Sequence, residues 1–321
     1  MNTNNPSSAP GLRLGVALGF VLLALAPFVV YPLFLIKIIC FALFAAAFNL
    51  LIGYAGLLSF GHAALFGGGS YLAAHALKRW GVSPEVALLI GTLFAAALGL
   101  LIGALAVRRQ GIYFAMITLA LSQMVYFLFL QAPFTGGEDG IQSVPQGKMF
   151  GLINLENQLT LYYTVAAIAT GALFLLWRII HSPFGNILCA IRDNEARTVS
   201  LGYRPTRYKL AVFVMSAALA GLAGSLKALS FQLASLVDVT WQMSGEVILM
   251  TLLGGLGTFF GPLVGAALVV CMQSFLSATI IPTPVIIGVT FVACVLSFRK
   301  GVFGQIKHWL KQRKRQAGAP H

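Results

Sequence analysis

Residues 182–209 read SPFGNILCAIRDNEARTVSLGYRPTRYK, a compact polar insert between two long apolar runs. Its charges are unbalanced: Arg192, Arg197, Arg204, Arg207 and Lys209 stand against only Asp193 and Glu195. Basic residues flanking membrane spans stay on the cytoplasmic side, so the insert is expected there. Ser182 followed by Pro183 has the pattern of an N-cap and a first-turn proline, while Gly202 and Pro205 read as a stop. One or two short helices lying along the membrane should result. As the helix-ending residue, Gly202 is expected at positive φ. A helix held outside the bilayer between spans offers a soluble partner a handle.

The rest of the chain sets the class. Of its 321 residues 59% are hydrophobic and 9% charged, with a mean hydropathy of +0.88, whereas a soluble globule carries roughly 25% charged residues. This composition predicts an all-α polytopic membrane protein, one transmembrane domain over 1–321. With about 20 apolar residues per span, ten candidates emerge near 14–35, 38–55, 57–77, 84–107, 111–131, 160–178, 210–231, 241–256, 258–279 and 285–298. Residues 14–26 can alternatively be read as a signal peptide, although Pro27 would fall at the cleavage point.

A net charge of +13 raises nucleic acid as a partner, but the basic residues sit beside spans rather than along one soluble face. With ten spans and both termini inside, sixteen of the 21 basic residues fall on the cytoplasmic side, Lys37, Lys78, Arg79 and Lys148 fall outside, and Lys227 lies within a span. Residues 132–159, containing TGGEDG at 135–140, read as a turn-rich periplasmic loop. Glu138 and Asp139 lack the alternating acidic spacing of a calcium loop. The basic tail, 299–321, contains KHWLKQRKRQ and suits anionic inner-leaflet lipid. Spans two to five and seven to ten would start on opposite sides, which permits an inverted repeat.

Inside the spans, Gly257, Gly261 and Gly265 form overlapping small-xxx-small units, as do Gly99 and Gly103, and such faces let helices approach closely. The competing reading is that Gly53, Gly56, Gly67, Gly68, Gly69, Gly254 and Gly255 mark broken helices around a path. Ser59, His62, Phe66 and Ser70 recur at helical spacing and are expected on one face of the third span. Glu246 is the only acid read as well inside a span, where carboxylates are functional candidates by default. Together with Ser59, His62 and Phe66 it is the candidate border of a solute path. Lys227 is expected to snorkel outward. Cys40, Cys189, Cys271 and Cys294 lack paired spacing, and no metal site is expected. No phosphate loop, zinc helix or nucleophile elbow is present, so no nucleotide or other cofactor is expected on this chain.

Taken together, GYAGLLSFGHAALFGGGSYLAA (53–74), TGGEDG (135–140), the polar insert with Leu210, SAALAGLAG (216–224) and GEVILMTLLGGLGTFFGPLVGA (245–266) resemble the LivM-type permease subunits of bacterial branched-chain amino acid ABC importers. The resemblance runs from about residue 36 onward. It implies an inner-membrane complex of two related permeases, two cytoplasmic ATPases that use ATP and Mg, and a periplasmic solute-binding protein. It also implies that 183–202 is the helix coupling the permease to an ATPase, through Ile191, Arg192, Asp193, Asn194, Glu195, Ala196 and Gly202. The fit to stricter importer loop patterns is off by one residue. Urea and other small-solute importers use similar subunits, so the solute stays open. An ion-coupled carrier would need acids and ion ligands near the midplane, and an integral-membrane enzyme would need a catalytic constellation that is not seen.

Overall fold

The computed structural model describes residues 25–276, apart from residue 152, and residue 288. The helices are α1 (Pro32–Asn49), α2 (His62–His75), α3 (Pro84–Ala106), α4 (Ile112–Gln131), α5 (Gln158–Ile180), α6 (Pro183–Asp193), α7 (Glu195–Ser200), α8 (Pro205–Phe231), α9 (Trp241–Gly254) and α10 (Gly261–Leu276). Single wide turns extend α1 through Leu50–Tyr54 and α2 through Ala76–Trp80. Proline opens α1, α3, α6 and α8, where its missing N–H costs nothing and its fixed φ suits the first turn.

Among the described residues, five helices are long and apolar enough to cross a membrane: α1 with its terminal turn, α3, α4, α5 and α8. The shorter α2, α9 and α10 lie where the third, eighth and ninth spans are expected, but at 14 to 16 residues they fall short of a full crossing. The boundary between the first two candidates needs correction. A short 3-10 turn at Ala26–Phe28 precedes α1, which already begins at Pro32, because a proline at the first turn outweighs the apolar continuity used to place it. The tenth span, the tail, Cys294 and most of the first candidate lie outside the described residues.

The spans divide into a packed centre and a periphery. The apolar windows of α1 and α8 are 72% and 67% buried, against 33% to 39% for α3, α4 and α5. Helix α8 packs on α1, α2 and α3, and its small-residue face explains how. A Cβ on Gly224 would overlap the Phe66 carbonyl, and one on Gly221 would overlap Ala95. In lipid, where apolar burial gives little drive, such backbone approach is a main source of association. Ser225 Oγ donates to the carbonyls of Gly221 (2.8 Å) and Gly69 (3.0 Å).

The loop after α4 is turn-rich, as expected, and also paired. Two-residue β1 (Ile141–Gln142) runs antiparallel to β4 (Leu233–Ala234), which follows α8, and β2 (Lys148–Met149) pairs with β3 (Ile153–Asn154). Lys78, which counts against the charge rule locally, donates to the Gln142 carbonyl at 2.6 Å.

Candidate functional site

The insert folds as two helices with a defined start, break and stop. Gly185, Leu188 and Ile191 form the buried stripe of α6, at the i, i+3 and i+6 spacing of one helix face. Ser182 occupies the N-cap position, but its hydroxyl donates to the Ile179 carbonyl (2.6 Å) instead of capping. Asn194 breaks the helix in an extended conformation, and its side chain accepts from Arg197 N–H at 3.0 Å to start α7. At the end of α7, Gly202 has φ +86°. Its N–H reaches the Val199 carbonyl and that of Tyr203 the Thr198 carbonyl, the paired closure of a Schellman stop.

Two charged residues tie this unit to the spans. Arg192 donates from Nη1 to the Gly53 carbonyl at 2.6 Å, while Nε and Nη2 engage Asp193 Oδ1 at 3.1 and 2.9 Å. Glu195 Oε2 accepts from Lys209 Nζ and from Gln110 Nε2, each at 2.6 Å. The insert thus grips the end of α1, the α3–α4 turn and the start of α8. Ile191 is buried against its own chain. Asp193, Asn194, Ala196 and Gly202 are exposed. Val199 and Leu201, which the sequence did not single out, are 54% and 68% exposed beside them. Apolar residues on a polar insert were the available signal.

Arg192 leads to a node where two broken segments meet. Asn49, at the end of α1, donates from Nδ2 to the Thr258 carbonyl (2.9 Å) and accepts from Gly257 N–H (3.1 Å). A Cβ on Gly53 would overlap Asn49 Oδ1 and lie 2.7 Å from Gly257 N. Gly257 is therefore a correction to the expected helix face: with φ +70° it belongs to the turn between α9 and α10. Gly261 and Gly265 do pack closely, since Cβ atoms there would overlap Thr258 Oγ1 and the Met250 carbonyl. Gly67, Gly68 and Gly69 mark no break. They lie buried within continuous α2.

The polar residues inside the spans fall at two levels. Ser59 lies in a non-helical stretch before α2, so it does not share the face of His62, Phe66 and Ser70. Its Oγ accepts from Gly61 N–H at 3.1 Å. His62 is fully buried between Phe48 and Phe213. Ser216 Oγ donates to the Ala47 carbonyl at 2.5 Å, and so accepts from His62 Nε2 at 2.8 Å. Phe66 stacks on Phe44 at 4.4 Å.

Towards the opposite end, Lys227 does not snorkel. It forms an ion pair with Asp238 and lies 5.8 Å from the ring centres of Phe41 and Phe66. Asp238, on the 3-10 turn Leu236–Val239, is 1% exposed. Glu246 is thus not the only enclosed acid. Half-buried on α9, it accepts from Gln273 Nε2 at 3.0 Å, close enough to Lys37, Lys227 and Asp238 for their charges to act on it. An intramembrane lysine demands a partner, which was the signal for Asp238.

The family described as branched-chain amino acid transport system / permease component matches residues 31–296. The chain is 30% identical to the high-affinity branched-chain amino acid transport system permease protein LivM of Salmonella typhimurium and 31% identical to that of Escherichia coli. Each match covers 71% of this chain and 59% of the relative. The chain thus spans about three fifths of the length of the curated relatives it matches. No solved structure matches it.

Proposed function

The chain belongs to the branched-chain amino acid transport permease family, and on that basis we propose that it is the membrane subunit of an ATP-driven ABC importer carrying branched-chain amino acids by alternating access. Its relatives are transport permeases, not enzymes. The partners in this reading are a second homologous permease, two cytoplasmic ATPases supplying ATP and Mg chemistry, and a periplasmic solute-binding protein. The insert and both termini face the cytoplasm of a bacterial inner membrane. Urea or another small solute is the alternative cargo.

The observation that carries this reading is the Arg192 node. A surface helix pair with exposed Ala196, Val199 and Leu201 is joined by one guanidinium to the end of α1, which Asn49 links to the α9–α10 turn. A push on the insert therefore reaches both breaks without crossing a flexible linker. His62, Phe66, Ser59 and Glu246 are the residues assigned to the path in this reading.

A second reading, an ion-coupled carrier, draws support from the enclosed Asp238, whose Oδ2 has no hydrogen-bond partner among the described residues. Uptake in cells separates the two. The importer reading expects uptake to stop on ATP depletion and to survive collapse of the proton gradient. The reverse result would favour the carrier.

A further inference from the structure

We propose that the cleft at the foot of α8 binds the phosphate headgroup of an anionic phospholipid. The cleft has a volume of about 390 Å³, and Phe184, Gly202, Tyr203, Arg204, Arg207 and Tyr208 are among its lining residues. Its size lies within the range of small-ligand sites. It sits where α5 has just ended and α8 begins, both helices being long and apolar enough to cross a membrane.

The two guanidinium groups carry charge that no side-chain carboxylate of this chain neutralises. Arg204 and Arg207 are exposed, and neither side chain makes a hydrogen bond or ion pair among the described residues. All eight acidic residues of the sequence lie within the described residues. Asp193 is engaged by Arg192, Glu195 by Lys209, Asp238 by Lys227 and Glu246 by Gln273. The other four, Glu85, Glu138, Asp139 and Glu156, lie at or beyond the opposite ends of the spans. No side-chain carboxylate of this chain is left for the cleft.

The surroundings favour lipid over an acidic protein surface. The Tyr208 ring lies 5.7 Å from Phe184 and 6.1 Å from Tyr203. At the end of α5, Trp177 lies 4.8 Å from His181. Aromatic rings with polar edges gather at headgroup depth. A guanidinium fork matches phosphate oxygens in geometry as well as charge, and basic residues at this level attract anionic lipid.

The test uses the full chain in detergent, with native mass spectrometry after addition of phosphatidylglycerol or phosphatidylcholine. Phosphatidylglycerol should be retained in preference. Retention should fall about thirtyfold in R204Q/R207Q, because two positive charges no longer attract the headgroup, while R197Q, outside the cleft, should behave as wild type. R204K/R207K should keep part of the binding. Displacement of the lipid by millimolar inorganic phosphate would make the site one for a free anion, and would overturn the proposal. Unchanged lipid retention in R204Q/R207Q would overturn it as well, and loss of ATPase recovery by the same variant in the assembled complex would then assign the cleft to a protein partner. Should R204Q/R207Q fail to fold, Y203W in the otherwise native chain gives a second readout. Brominated phosphatidylglycerol should quench the added fluorescence more than brominated phosphatidylcholine, and equal quenching would refute the site.

Discussion

Helix α8 carries a lysine near each end, Lys209 and Lys227, about 27 Å apart along its axis, and each is paired with a carboxylate on a short neighbouring segment. The settings differ. Glu195, the partner of Lys209, has a side chain 28% exposed and is shared with Gln110. Asp238, the partner of Lys227, has a side chain only 2% exposed, and its cation lies over two phenyl rings. At the insert the carboxylate is the partner that meets solvent, while at the other end it is the lysine, whose side chain is 18% exposed against 6% for Lys209. The carboxylate at the insert is therefore the one that water can reach.

The sharpest way to break this contrast is to remove one carboxylate at a time. Asp238→Leu leaves Lys227 charged in an apolar setting and should lower stability by about 3–5 kcal/mol, whereas converting the pair together, Lys227→Met with Asp238→Leu, should recover most of it. Thermal unfolding in detergent checks this, and equal stability of the single variant and wild type would show that the pair is wet. Glu195→Gln, which keeps a hydrogen-bonding side chain beside the buried Lys209, should cost less than Asp238→Leu, about 1–2 kcal/mol. Its effect should shrink further in high salt. A loss as large as that of Asp238→Leu would erase the distinction between the two ends.

The expected effect at Gly202 is confined to the end of α7. Nothing lies within 4 Å of a Cβ placed there, so a substitution acts through its φ of +86° alone. Gly202→Val should cost about 1–2 kcal/mol locally, while Gly202→Asn should be nearly neutral because asparagine tolerates the left-handed region. Hydrogen exchange at the N–H groups of residues 202 and 203 reports the stop directly. Identical protection in both variants would mean the stop does not depend on glycine.

The two ends also differ in how far the sequence reveals them. The insert announces itself through local chemistry: a proline start, a glycine stop and a run of arginines need no knowledge of distant contacts. Its anchoring does not, because Arg192 meets Gly53 and Glu195 meets Gln110 across long stretches of chain. Glycines at four-residue spacing describe a packed helix face and a turn equally well, and only the backbone conformation of Gly257 separates them. Asp238 lies eleven residues beyond Lys227, past Gln232 at φ +55°, so helical periodicity cannot connect the pair. The five helices long enough to cross a membrane were legible because their apolar runs are long, and proline opens three of them. The start of α1 was not, since apolar residues continue across it.

In the proposed function Arg192 transmits force inward while its neighbours on the insert face an ATPase. The most direct test of that role is the assembled complex, in which the ratio of ATPase to permease recovered is read beside solute uptake. Arg192→Leu removes a charge-assisted hydrogen bond of about 1.5–3 kcal/mol. ATPase recovery should stay at the wild-type level while uptake falls at least about tenfold, the change that 1.4 kcal/mol corresponds to. Ala196→Arg, on the exposed face, should instead lose the ATPase. Unchanged uptake in Arg192→Leu, with ATPase retained, would show that the node carries no force and would contradict the account.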